Sequence, residues 1–131
     1  MGAWGVGIYE NDTAADWIAE LESVGASVIG SSLRVALEDD YLDADAGSRA
    51  LAAADVIGRL RVGAGGGIGP EPVLSWVGSH PGDPSDGLLR LAERAVDRVL
   101  GEQSELAALW AETDDLAAWR ATTQIVVGRL L

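Results

Sequence analysis

The sequence predicts an all-α fold: a compact bundle of five to seven helices, one domain over residues 1–131, with an irregular N-terminal segment packed on the core. Three observations predict it. Apolar residues recur every three or four positions along nearly the whole chain, the period of one helix face. Strand-like alternation is missing except at QIVVG, residues 124–128, whose β-branched content leaves a strand open there. Glycine and proline gather in a few short stretches that punctuate the helical ones. A chain of 131 residues can bury a core unaided, and 48% apolar with 23% charged residues is the make-up of a soluble globular domain.

The elements follow in order. Residues 13–24 place Ala14, Trp17, Ile18, Leu21 and Val24 on one face. Asn11, Asp12 or Thr13 can cap this helix, and Gly25 stops it. A second helix over about 27–39 buries Ile29, Leu33, Ala36 and Leu37. A third over about 45–62 buries Ala50, Ala53, Ala54, Ile57 and Leu60, helped by Asp45/Arg49 and Asp55/Arg59 pairs four residues apart. GAGGGIGP, residues 63–70, is a break read as a flexible connection. Residues 71–78 can form a short helix led by Pro70 or Pro72, and 79–87 a loop. A long helix over about 85–101 buries Leu88, Leu91, Ala92, Ala95, Val96 and Val99, with weak support from Asp86/Arg90 and Arg98/Glu102. A short helix follows Ser104, with Leu106, Leu109 and Trp110 inward. The last runs from Asp114 through Leu116, Trp119, Ile125, Val126 and Leu130. Gly30 and Gly58 fall inside helices, which costs stability unless another helix crosses closely there.

Charge is distributed unevenly. The net charge is −12, and all nine basic residues are arginine. Residues 1–45 hold ten acids against one arginine, and residues 46–131 hold eleven against eight. Such a chain repels nucleic acid and anionic membranes, so a charged partner is expected to be a basic protein. Plain solubility explains the same acids more simply. The start lacks a secretory signal, and Val6 stands where a myristoylation motif needs Ser or Thr. No apolar run approaches a membrane span, and cysteine is absent. The expectation is a cytoplasmic protein.

Residue types that are missing exclude chemistry. Without lysine there is no Walker A loop and no Schiff base. Neither GAWGVG, residues 2–7, nor GAGGGIGP has dinucleotide-binding spacing, so no cofactor is expected. His80 is the single histidine and sits in a Pro/Gly loop, which excludes a two-histidine metal site and reads as a solvated ring. EDDYLDAD, residues 38–45, fails the EF-hand pattern at Gly47 and Ala54. No catalytic and no metal-ligating residue is assigned.

What remains is Asp12, Asp16 and Glu20, repeated every four residues on one helix face with no local cation. They need solvent, an arginine from elsewhere in the fold, or a partner. Trp17, Trp110 and Trp119 sit on apolar faces and belong in the core. Trp4 and Trp76 lie in irregular or short segments, as lids on the core or as exposed contacts. The candidate partner-binding set is Trp4, Asp12, Asp16, Glu20 and Trp76. Gly5, Gly7, Asn11, Trp17 and Trp110 form a structural motif: the glycines let backbone press on neighbouring side chains, Trp4 and Ile8-Tyr9 plug the bundle, and Asn11 caps a helix.

The opening MGAWGVGIYENDTAADW resembles the signature MGxWGxGxFxNDxAxDW of the bacterial domain of unknown function 4259 family, with Tyr9 where phenylalanine is usual. RALAAADVIG, residues 49–58, and SELAALW, residues 104–110, resemble the family too. The resemblance implies no activity and no catalytic residue. The functional expectation is therefore a non-enzymatic protein-binding module, regulatory or immunity-like, with its acidic N-terminal face against a basic partner. A small carboxylate- or metal-dependent hydrolase using acids near Asp12, Asp16 and Asp40 is one alternative, and a mimic of nucleic-acid charge is another.

Overall fold

The computed structural model describes residues 3–63 and 67–131. Seven helices are present among them: α1 (Asp12–Val24), α2 (Ser27–Val35), α3 (Ala44–Val62), α4 (Glu71–Ser79), α5 (Asp86–Leu100), α6 (Glu105–Ala111) and α7 (Leu116–Leu130). No strand forms among the described residues, and QIVVG lies within α7. None of these helices is long and apolar enough to cross a membrane. Residues 1–2 and 64–66 lie outside the description, and with them three of the eight residues of the glycine-rich connection.

Helix α3 is the axis of the bundle and touches all six others. From Gly47 to Arg59 every residue but Arg49 is buried. Small side chains make this possible: Ala50, Ala52, Ala53 and Ala54 bring neighbouring backbones close on several sides at once. An all-round buried helix carries little amphipathic signal. The one-sided stripe read from the sequence was thus only part of its buried surface. Around it pack Trp17 and Leu21 from α1, Leu33 from α2, Val73 from α4, Val96 and Val99 from α5, and Val126 from α7. Each fully buried Leu or Val contributes about 1.5 to 3 kcal/mol.

Local chemistry sets most helix ends. Asn11 Oδ1 accepts from Ala14 N at 2.8 Å to start α1, and Gly25 at φ +100° ends it. Asp43 caps α3 through Ala46 N at 2.8 Å, and Gly63 in the left-handed region closes it. Ser85 and Ser104 cap α5 and α6.

Several sequence expectations need correction. Helix α2 ends at Val35 rather than near Asp39. Glu38, Asp39 and Asp40 would crowd the negative end of its dipole, and the chain turns instead. Arg98 donates to the Asp39 and Asp40 carbonyls at 2.7 and 3.3 Å, so it serves this turn rather than an ion pair with Glu102. Helix α7 starts at Leu116, after Thr113 Oγ1 accepts from Asp115 N at 3.1 Å. Its inward stripe is Trp119, Thr123, Val126 and Leu130. Ile125 is off that phase and 59% exposed, contrary to expectation, while buried Thr123 donates its hydroxyl to Trp119 O. Val24 is exposed as well. Gly58 does mark a close crossing: a Cβ there would lie 2.8 Å from Arg129 Cβ of α7. Gly30 does not, because a Cβ would meet only the side chain of Arg34.

The segment from Ala3 to Asn11 folds back on itself. Ala3 bridges Asn11, Trp4 N donates to Glu10 O at 3.0 Å, and Asn11 Nδ2 donates to Ile8 O at 3.3 Å. Ala3, Val6, Ile8 and Tyr9 press on the core. Trp4 does not plug the bundle; it is 62% exposed. Because the short loop turns Trp4 outward, the seal is made by the aliphatic residues and the tyrosine.

Candidate functional site

The five residues expected at a partner surface do not form one patch. Asp12 and Asp16 are exposed on α1, with no ion-pair partner among the described residues. Trp4 stands beside the start of α1, its backbone tied to Glu10. Glu20 is taken by an internal arginine: Arg49 of α3 grips it with both terminal nitrogens, at 2.7 and 3.2 Å. That hydrogen bond, with the guanidinium charge, holds the Glu20 carboxyl below its usual range. Arg49 is therefore not paired with Asp45, which accepts from the Thr13 hydroxyl at 2.9 Å. Trp76 is half-buried on α4 and stacks on His80, ring centroids 4.0 Å apart. It lines a cavity of about 490 Å³ with Glu22, at the far end of α1 from Trp4. His80 itself is exposed, as expected, with Nδ1 2.8 Å from Trp76 O.

The residues of the expected structural motif are placed as follows. Trp17 is fully buried and donates its indole N–H to Ser32 Oγ at 3.0 Å. Trp110 stacks on Trp119 at 6.2 Å. Gly5 and Gly7 lie under the carboxylate of Glu10, which accepts from Gly7 N at 3.0 Å; a Cβ at either glycine would collide with it. Asp12, Asp16 and Asp40 line none of the main cavities, so the convergent carboxylates that a hydrolase reading needs are not found there. No three of the described His, Asp or Glu side chains form a group able to hold a metal.

Charge instead converges on the middle of α3. Asp55 is 3% exposed and accepts three hydrogen bonds. Tyr9 Oη donates to its Oδ2 at 2.6 Å, Arg59 Nε to the same oxygen at 2.7 Å, and Arg129 Nη1 to Oδ1 at 3.2 Å. Arg59 is also buried and gives Nη2 to Ile68 O at 2.8 Å, which ties the chain after the glycine run to α3. Burial pushes the Tyr9 phenol well above its ordinary value, and the Asp55 charge and hydrogen bond push the same way. The phenol is thus a permanent donor. One carboxylate shared between two guanidiniums leaves a net charge of plus one. Over this cluster lies a cavity of about 540 Å³, walled by Ile8, Ile68, Ile125, Val126 and Pro70, with Glu10 at its edge.

Residues 2–122 match the family described as Domain of unknown function (DUF4259), nearly the whole chain. The chain belongs to the DUF4259 family. No curated protein and no solved structure matches it. The family description names no activity, so the residues of this DUF4259 chain have to be read from their geometry. Sequence reasoning reads Asp55 and Arg59 as a pair four residues apart that helps a helix, and gives Arg129 no role. A signal is present: Asp55 and Arg59 interrupt a stretch from Ala50 to Leu60 that is otherwise Ala, Leu, Val, Ile and Gly58. An ionisable pair inside such a run is either misplaced on a surface or buried with partners. Tyr9 is read from the sequence as part of the plug and as a departure from the phenylalanine of the family signature; its hydroxyl bond to Asp55 is not foreseen.

Proposed function

We propose that this DUF4259 chain is a non-enzymatic protein-binding module that meets a basic partner with the N-terminal end of α1. One observation carries the reading: Trp4 is 62% exposed, while Trp17, Trp110 and Trp119 are buried and Trp76 is half-buried. An indole held outward on a backbone-bonded loop loses little freedom on binding, and tryptophan is enriched among the residues that dominate interface energies. Asp12 and Asp16, exposed and without ion-pair partners among the described residues, supply negative charge next to it. An arginine or lysine of the partner can stack on the indole and pair with a carboxylate together. Glu20 and Trp76 drop out of this surface. The first is neutralised by Arg49, and the second lies at the other end of α1.

The test is capture of partners from the source organism's lysate by the wild-type chain, by Trp4→Ala and by Asp12→Arg/Asp16→Arg. A partner held by the wild type should be lost from both variants. It should also weaken steeply toward about 1 M salt, where exposed charges are screened. Equal capture by all three, or capture indifferent to salt, overturns the proposal.

A further inference from the structure

We propose that the cavity over Asp55 and Arg129 binds a small amphipathic monoanion, a carboxylate with an apolar body. This site is separate from the partner surface around Trp4 and stands without it.

Charge balance is the first ground. Tyr9, Arg59 and Arg129 saturate the Asp55 carboxylate, and the cluster keeps one surplus positive charge. Glu10 at the edge brings the formal charge of the cavity lining to zero, so the positive charge is local to the Arg129 side of the cavity, in a chain of net charge −12. The charge that Asp55 leaves unmatched sits on the part-exposed Arg129, where a charge-assisted contact to a second carboxylate is open to it.

Arg129 is the group placed to receive it. Its side chain is 32% exposed, and among the described residues it makes only the Asp55 bond, through Nη1. A guanidinium carries five N–H donors in a planar fork that matches a carboxylate edge. The close crossing at Gly58 fixes where this fork stands, since α7 lies against α3 at the Arg129 Cβ. Arg59 is not available in the same way, being held by Asp55 and the Ile68 carbonyl. Glu10 lines the same cavity but turns its carboxylate onto the Gly7 N–H. No salt bridge joins it to either guanidinium.

The walls set the other half of the ligand. Ile68 is 97% exposed and Ile125 is 59% exposed, and both line this cavity. With Ile8 and Val126 they form an apolar surface next to the cation. At about 540 Å³ the cavity lies within the usual range for small-molecule sites. A fully polar anion would leave those isoleucines unused, and a neutral apolar molecule would leave the open donors of the Arg129 fork unmatched.

The experiment titrates the intact chain with octanoate, octanol and octylammonium. It follows backbone amide shifts of Ile125 and Val126 together with the melting temperature. Octanoate should bind saturably at submillimolar to millimolar concentration and raise the melting temperature. Octanol should bind about tenfold or more weakly, and octylammonium should not bind. Arg129→Gln should lose about tenfold or more in octanoate affinity, with Arg129→Lys between it and wild type. Ile125→Glu places a carboxylate at the mouth without touching the core, so it should abolish octanoate binding with the helical circular dichroism unchanged. Equal binding of octanoate and octanol, wild-type affinity in Ile125→Glu, or no saturable binding of octanoate at millimolar concentration overturns the proposal.

Discussion

At the start of α1, Asp12 and Asp16 stand in solvent with no ion-pair partner among the described residues, whereas Asp55 in the middle of α3 is shut from solvent and held by a phenol and two guanidiniums. The two regions use the same chemical group under opposite constraints. Water compensates the exposed acids, so neither their number nor their spacing limits the fold. The buried carboxylate has only protein to compensate it, so each of its partners becomes structural. An acidic surface is thus inexpensive to fold, and one acidic residue in the core fixes the positions of three side chains, two of them far away along the chain.

Removing the Asp55 carboxylate should have the largest effect. Asp55→Ala leaves the buried Arg59 without its main partner and should destabilise by about 3 to 5 kcal/mol, read by chemical denaturation. The double variant Asp55→Leu/Arg59→Met removes both buried charges and should recover most of that loss. If the double variant is as unstable as the single one, desolvated charge is not what distinguishes this region.

Next in size is Gly58→Ala. Its Cβ would press on Arg129 Cβ, a point on the helix rather than the end of a flexible side chain. Overpacking of about 1 to 3 kcal/mol should exceed the gain of about 1 kcal/mol in helix propensity. A net stabilisation would mean that α7 can step away from α3.

Tyr9→Phe removes one donor to Asp55 and should cost about 1.5 kcal/mol near neutral pH. The pH dependence has a definite sign. The folded phenol titrates above the ordinary value of 10.0 and the unfolded one at that value. Its contribution is therefore full below about pH 10 and is lost as pH rises through the folded value. Denaturation midpoints at neutral and alkaline pH should show wild type falling more steeply above pH 10 than Tyr9→Phe.

Smaller still is Glu20→Gln, which breaks a part-exposed bridge and should cost about 0.2 to 1 kcal/mol, less at high salt. The Glu20 carboxyl titrates below its ordinary value, so its contribution is present above that value and fades as pH falls through the folded one. Asp12→Asn/Asp16→Asn should change stability by about 0.5 kcal/mol or less, while altering partner capture. A large loss of stability there would move these acids into the class of Asp55.

The same contrast explains how far the amino-acid sequence could be read. The helices were legible because their caps and stops are local: Asn11, Gly25, Asp43, Gly63, Ser85 and Ser104 act within a few residues of themselves. Packing of an irregular N-terminal segment on the core was legible, from Gly5, Gly7 and Asn11, but its fold-back and the direction of Trp4 were not. Ile125 was misplaced because hydrophobicity was followed in place of helical phase, and Trp119, Thr123, Val126 and Leu130 set that phase. The cluster around Asp55 was hidden for a different reason. Only Arg59 is local; the other two partners come from 46 and 74 residues away along the chain, and no local pattern reports which distant side chain will arrive. Only the oddity of charge within an aliphatic run pointed there.

Helix α3 has a last consequence. Six helices lean on one methyl-lined rod, so nearly every surface that could separate is a surface of that rod. Spokes can lengthen, bend or change their outward residues with little effect on their neighbours, because they share a hub more than they share each other. The hub itself has no slack. A bulkier group at Ala52, Ala53 or Ala54 would push several spokes outward together. The molecule should therefore melt as a unit, with the amides in the buried middle of α3 exchanging last and sharing one free energy of protection.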